Sequence, residues 1–236
     1  MKRISIVIPV KNEAACLGKV LDDLHTVCAT IEGYAVETLV VIDHCTDDTK
    51  AVVESRGVRW VENRRKAGKG FALITGFENS GGDIFIMMDG DYSHDANDLP
   101  RMIDALEAGP GMVIGSRALG GSEEYEIIRL FGNVGMTGLF RFLFGIPVFD
   151  ALNGYKAFVR GIFDNFRYSS RGFEIEIELL ANALRLGLEI VEIPSRERRR
   201  AGGAMKSNAA RDGLRFLIAI IAQGIAFRLG RKRRAS

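Results

Sequence analysis

The chain has 236 residues, 47% of them hydrophobic, enough for one well-buried α/β domain with an appendage and too few for two comfortable enzymatic domains. Its 32 basic and 30 acidic residues leave a net charge of +2, which does not point to a nucleic-acid partner. Three cysteines, Cys16, Cys28 and Cys45, lack CxxC spacing and a neighbouring histidine cluster, which argues against a disulfide framework or a zinc site and fits a reducing, cytoplasmic compartment.

The chain opens on Met1-Lys2-Arg3 and an apolar run from Ile4 to Val10. Lys11-Asn12-Glu13 cuts that run short and no small-residue cleavage site follows, so it reads as a first buried strand and not as a leader. Short β-rich runs at 3–9, 37–42, 57–61, 83–88 and 111–115 alternate with helical stretches at 13–30, 47–56, 69–80 and 97–108. That alternation is the pattern of βαβ units building a mostly parallel sheet, and ligands of such sheets bind beyond the carboxyl ends of the strands. Lys11-Asn12-Glu13, Asp43 to Asp48 and Asp89 to Asp95 are therefore placed on one rim.

The second half is less regular. A helix is expected near 129–144, a short strand around Gly154 to Val159, a helix at 174–186, a strand from Leu188 to Ile193 and a basic loop from Pro194 to Ser207. Residues 1–207 read as the main domain and 208–236 as an amphipathic helix with a basic tail. From Arg211 onward seven basic residues face one acid, a local charge of +6 that leaves −4 for residues 1–210. The apolar stretch Leu214 to Leu229 would be roughly 24 Å long as a helix, short of the ~30 Å hydrocarbon core. With Arg231 to Arg234 following, it reads as an anchor lying on an anionic membrane surface.

Several segments carry candidate chemistry. Asp89-Gly90-Asp91 follows an apolar strand, and two carboxylates at that spacing can converge on a hard divalent cation, Mg2+ or Mn2+, that retains sites for diphosphate oxygens. Asp43, at the end of another strand, can accept hydrogen bonds from a base N–H or a ribose hydroxyl. Gly68-Lys69-Gly70, where a loop enters a helix, suits phosphate through backbone amides and one lysine, or is an ordinary turn; it is not the full GxxxxGK[ST] loop. Arg117, Arg129 and the cluster from Arg196 to Arg200 followed by Lys206 offer rigid forks for phosphate oxygens, although the cluster taken alone reads as a solvated loop. No G-x-S-x-G occurs, and the three histidines make no triad with a serine motif.

Taken in order, Ile6 to Glu13, the Asp43 turn, Gly68-Lys69-Gly70, Asp89 to Asp95, Gly115-Ser116-Arg117, Asn153-Gly154-Tyr155-Lys156 and Arg200 to Ser207 resemble the family 2 glycosyltransferases of GT-A fold, in particular the dolichyl-phosphate mannosyltransferase type. The chain departs from that pattern at Ile42, where an aspartate often precedes Asp43, and at Lys11, where an aromatic is common. The resemblance implies a predominantly parallel, Rossmann-like sheet flanked by helices. It implies a donor site in which Pro9, Glu13 and Asp43 contact the nucleoside, with Val10, Lys69, Gly90 and Lys206 beside them, Asp89 and Asp91 on the metal, and Arg117, Arg129 and Arg200 around the phosphates. The implied partners are GDP-mannose or UDP-glucose, a polyprenyl phosphate and the inner face of a membrane. An anionic phosphate acceptor needs no general base. A hydroxyl acceptor on a glycolipid or soluble glycan, the alternative, would need one, with Asp150, Glu174 and Glu176 as candidates.

Overall fold

The computed structural model describes residues 1–123, 127–202 and 209–235, with backbone alone for 127–129, 209 and 231–235. Its strands are β1 (Lys2–Val10), β2 (Tyr34–Ile42), β3 (Arg59–Glu62), β4 (Ile84–Met87), β5 (Met112–Ser116), β6 (Lys156–Val159) and β7 (Ile190–Pro194). Its helices are α1 (Ala14–Cys28), α2 (Thr49–Ser55), α3 (Lys69–Glu78), α4 (Leu99–Glu107), α5 (Arg117–Gly120), α6 (Ile127–Phe144), α7 (Gly161–Asp164), α8 (Ile175–Arg185) and α9 (Ala209–Ala235). The strands form one seven-stranded sheet in the order β3-β2-β1-β4-β6-β5-β7, parallel except for β6.

Period-two alternation feeds two cores. Ile84 and Ile86 of β4 join Ile4, Ile6 and Ile8 of β1 beneath Leu17, Leu21, Met102 and Leu106. Phe85 and Met87 point the other way, onto a layer containing Phe77, Phe158, Leu179 and Ile220. Central strands buried on both faces account for the near-continuous apolar runs of the sequence. In the second core Phe77 stacks on Phe85 with centroids 5.0 Å apart and meets Phe158 edge-on at 5.4 Å. Gly76 allows α3 to lie this close: a Cβ there would stand 2.3 Å from Val7 Cγ1 and 2.9 Å from Val41 Cγ2.

The expected α/β alternation is present, with differences that have physical causes. β2 begins at Tyr34, ahead of the expected 37, because Tyr34 to Val36 pair with Lys2 to Ile4 of β1. The four-residue helices α5 and α7 carry no periodic signal and were not expected. The final helix is longer than the apolar stretch alone implies. It runs for 27 residues and takes in Arg231 to Arg234. Its segment Ala210–Gly230, 21 residues of mean hydropathy 1.5, is long and apolar enough by length and composition to cross a membrane. α9 packs along α6 and α8 and buries Ile220.

Gly76→Ala is expected to destabilise the fold by ~1–3 kcal/mol through overpacking between α3 and the sheet. A lowered urea midpoint with an unchanged slope would show it, and an unchanged midpoint would count against the close approach.

Candidate functional site

Only three non-glycine residues among those described have positive φ, and all three sit on the rim: Asn12 (52°) after β1, His44 (53°) after β2 and Tyr92 (73°) after β4. Such backbone persists only where surrounding contacts fix it. Asn12 Oδ1 accepts from the Thr46 amide at 2.7 Å, and Asn12 Nδ2 donates to Thr46 Oγ1 at 3.1 Å. Tyr92 is held between cations, with Lys19 Nζ 4.2 Å and the Arg198 guanidinium 5.0 Å from its ring centroid. These turns edge a cleft of ≈ 1870 Å³ at the switch point between β1 and β4. Pro9, Val10, Glu13, Asp43, Lys69, Asp89, Gly90, Asp91, Arg117 and Arg200 all line it. The Arg129 side chain and Lys206 lie outside the described residues.

Each carboxylate of the acidic turn is met by a cation from a distant segment. Asp89 Oδ1 is 2.7 Å from Lys69 Nζ, and Asp91 Oδ2 is 2.5 Å from Arg200 Nη2. Asp91 Oδ1 accepts from the Ser93 amide at 3.0 Å and its hydroxyl at 2.6 Å. Burial alone would raise the Asp89 carboxyl, but Lys69, His94 and Arg200 together outweigh it and hold the carboxyl at about 2. Lys69 is likewise pushed down by burial and raised above its ordinary value by Asp89 and Glu176. The Asp89 amide donates to His94 Nδ1 at 3.0 Å, and the His94 ring stacks on Tyr155 at 4.8 Å. A hard divalent cation fits this turn. Two carboxylates lie in one short segment, the space before them already attracts positive side chains, and no third His, Cys, Asp or Glu completes a cage among the described residues. Ligand oxygens would have to supply the rest of the coordination.

Two sequence readings change in this setting, and Asp43 gains a second role. The amides at the start of α3 are not available for phosphate: Gly70 N–H donates to the Arg171 carbonyl at 2.9 Å, Phe71 N–H to the same oxygen at 3.4 Å, and Gly68 N–H to Asp43 Oδ2 at 2.9 Å. The glycines are needed because segment 170–172 crosses the helix end, where a Cβ on Gly70 would meet the Ser170 carbonyl at 2.1 Å. Lys69 alone of that motif presents a charge to the cleft. Asp43 lines the cleft as a latch, its other oxygen accepting from Asn63 Nδ2 at 2.7 Å. The basic segment is no solvated loop: Arg198 N–H donates to the Ser93 carbonyl at 2.8 Å, Ala201 N–H to the Asp91 carbonyl at 3.3 Å, and Arg198 pairs with Asp95 at 2.5 Å.

Arg117 is clamped from below. Its Nε and Nη2 each reach the Asp150 carboxylate at 2.8 Å, its amide donates to Asp150 Oδ2 at 2.9 Å, and Nη1 reaches Glu197 at 3.3 Å. Burial would raise the Asp150 carboxyl, but Arg117 holds it below the ordinary value. Glu192 accepts from the amides of Phe149 at 2.7 Å and Asp150 at 2.8 Å and so fixes the loop that carries the clamp. In the Asn153-Gly154-Tyr155-Lys156 motif, Asn153 Nδ2 donates to the Gly115 carbonyl at 2.5 Å and the Tyr155 hydroxyl to the Asp95 carbonyl at 3.0 Å. Lys156 is wholly buried and bonds the carbonyls of Ala151 and Asn153. Burial brings its ammonium down to about 8. The supporting roles of Glu192, Glu197, His94 and segment 170–172 were not foreseen, since each depends on contacts between segments distant in sequence.

The carboxyl-end rim of the sheet thus gathers an acidic turn, Lys69, Arg117 and Arg200 around one cleft, the place where sheets of this kind bind their ligands. The family model described as Glycosyl transferase family 2 matches residues 5–167, and the chain belongs to that family. It is 30% identical to a polyprenol monophosphomannose synthase of Mycolicibacterium smegmatis over 98% of this chain and 91% of the relative. It is also 30% identical to an undecaprenyl-phosphate mannosyltransferase of Micrococcus luteus over 81% of this chain and 82% of the relative. The fold is that of glucosyl-3-phosphoglycerate synthase from Mycobacterium tuberculosis. One complex with Mn2+, UDP-glucose and phosphoglyceric acid superposes with a TM-score of 0.78 at 22% identity, covering 94% of this chain and 80% of that one. Another, with Mn2+, UDP and glucosyl-3-phosphoglycerate, gives 0.68 at 27% identity, covering 98% and 80%. The seven-stranded, mostly parallel sheet flanked by helices is thus of the GT-A type.

Arg117→Met leaves Asp150 buried without its cation and is expected to cost ~3–5 kcal/mol, towards the lower figure because the guanidinium is partly exposed. Adding Asp150→Asn should recover part of that loss. Strictly additive urea midpoints for the two changes would refute the coupling. Because the Asp150 carboxyl sits below its ordinary value of 3.8, its contribution is fully present above about pH 4 and lost as the pH falls through the depressed value.

Proposed function

We propose that the chain is an inverting, metal-dependent hexosyltransferase moving mannose or glucose from GDP-mannose or UDP-glucose to a polyprenyl phosphate at the cytoplasmic face of a membrane. The observation that carries the reading is the make-up of the cleft. One lining holds the carboxylates of Asp89 and Asp91, the cations Arg199, Arg211 and Arg215, and the apolar side chains of Leu130, Val134, Met136 and Phe216 from α6 and α9. That mixture suits a substrate pair that is a charged nucleotide at one end and a phosphate on a hydrocarbon chain at the other. The names of the mannosyltransferase relatives support the same acceptor class.

In this reading Pro9, Val10, Glu13 and Asp43 receive the nucleoside, Gly90 lets the acidic turn pack against Val10, where a Cβ would stand 2.6 Å from Val10 Cγ1, and Asp89 and Asp91 hold Mg2+ or Mn2+. When bound, the cation neutralises charge on the departing nucleoside diphosphate. Arg200, now on Asp91, swings to phosphate oxygens, and Arg117 stiffens the wall that faces them; Arg129 and Lys206 are assigned to the same phosphates by the family resemblance alone. An acceptor phosphate oxygen attacks the anomeric carbon as the bond to the β-phosphate breaks, so configuration inverts and no proton needs removing. Two of the three carboxylates named as a base for a hydroxyl acceptor are engaged elsewhere. Asp150 is on Arg117, and Glu174 Oε1 accepts from the amides of Arg171 at 3.1 Å and Gly172 at 3.0 Å.

Residues 1–207 form the transferase domain in this reading, and 208–236 the membrane-facing appendage. α9 lies on the surface and does not cross it, because its first turns contribute Arg211 and Arg215 to the cleft and its middle packs on α6 and α8. Its outward face exposes Leu214, Ile218, Ile225 and Leu229, and α6 exposes Phe131 (72%) and Phe142 (71%). Exposed aliphatic and aromatic side chains beside a basic terminus suit an anionic bilayer.

Radiolabel is expected to pass from GDP-mannose or UDP-glucose into short polyprenyl phosphate only with Mn2+ or Mg2+, and Asp91→Ala should abolish it. Label passing to a glycan hydroxyl or phosphoglycerate and never to lipid would refute the acceptor assignment. Ile218→Glu with Ile225→Glu should lower co-flotation with anionic vesicles at least tenfold, since each buried aliphatic contributes ~1.5–3 kcal/mol. Undiminished flotation would exclude this face of α9 as the contact.

A further inference from the structure

Glu176, in the first turn of α8, lines the cleft yet is 1% exposed. Its Oε1 accepts from Lys69 Nζ at 3.0 Å. Its Oε2 is buried and meets no hydrogen-bond donor among the described residues. A buried carboxylate oxygen without a donor carries a desolvation penalty that native sites rarely leave unmet. Lys69 also holds Asp89 at 2.7 Å, so one ammonium spans both carboxylates. Gly154 makes room for that bridge, because a Cβ at 154 would lie 2.6 Å from Lys69 Nζ, 3.1 Å from Glu176 Oε1 and 3.3 Å from Asp89 Oδ2.

The chemistry of the vacant oxygen limits its ligand. A phosphate would be repelled by two carboxylates, and among the described residues Glu176 belongs to no group of three or more His, Cys, Asp or Glu side chains that could hold a metal ion. An ionised carboxylate only accepts, so the partner must present a neutral O–H or N–H. Asp89 places this spot beside the proposed diphosphate position, and α8 places it away from the β1 and β2 turns proposed for the nucleoside. We propose that Glu176 reads the hexose of the donor, its Oε2 accepting from a sugar hydroxyl while Lys69 fixes the carboxylate and orients it. The proposal rests on the nucleotide-sugar reading above and adds a specificity-determining residue to it. It also removes Glu176 from the candidate general bases.

The test measures binding of GDP, UDP, GDP-mannose, UDP-glucose and monodeoxy analogues of the sugar to the full chain with Mn2+. In the wild type, one monodeoxy donor should bind roughly 10- to 100-fold more weakly than its parent, the range of one hydrogen bond to a charged group. Glu176→Gln keeps its oxygen on Lys69 and turns an amide NH2 to the position of Oε2, replacing an acceptor by a donor. It should weaken the matching nucleotide sugar by a similar factor, leave the nucleoside diphosphate unchanged and abolish discrimination against that deoxy donor. Glu176→Ala should show the same split. Equal weakening of nucleotide sugar and nucleoside diphosphate, or retained discrimination, would overturn the proposal in favour of a structural role for the pair. Turnover lost with discrimination intact would overturn it in favour of a base. A wild type that binds no nucleotide sugar would refute the donor reading itself, before any variant is made.

Discussion

Negative charge concentrated at the carboxyl ends of the strands is the constraint on which the rest of the structure depends. Asp89, Asp91 and Asp150 stand partly or wholly out of water, and such charges persist only when paired. Each cation comes from a different place: Lys69 from the start of α3, Arg200 from the segment after β7 and Arg117 from the start of α5. Pairing the acids therefore ties together elements far apart in sequence. The proposed function uses the same requirement, with positive groups held by carboxylates exchanged for a metal ion or turned towards phosphate.

Close backbone approach is the second device. Segment 170–172 caps α3 through the Arg171 carbonyl, and Gly68 and Gly70 exist to let it pass. This crossing brings α8, and Glu176 with it, against Lys69. The wall around Arg117 is assembled in the same way. Glu192 grips two successive amides and thereby sets the position of Asp150. Backbone placed by carboxylates, and carboxylates neutralised by arginine or lysine, recur throughout the cleft.

In the proposed reading the apolar helices connect this polar site with a bilayer. Phe216 and Met136 line the cleft, while Ile218 and Phe131 on the same two helices face outward. One helix pair thus serves both as a wall of the site and as the proposed contact with lipid. A lipid-borne phosphate could enter along it without the hydrocarbon crossing water.

What the sequence determined by itself is the part that local patterning controls. Apolar runs of four to nine residues separated by helical stretches fix a parallel α/β sheet, and polar segments after β1, β2 and β4 must then share its rim. The cleft residues from Pro9 to Arg117 were legible for that reason, since strand direction alone decides where they lie. What only the tertiary structure decided are the partnerships: Lys69 with Glu176, Arg117 with Asp150, Arg200 with Asp91 and the Arg171 carbonyl over α3. Their members are separated by as many as 109 positions. No periodicity links residues so far apart, and only packing of the whole chain selects which acid meets which cation and leaves the second oxygen of Glu176 without a hydrogen-bond donor among the described residues.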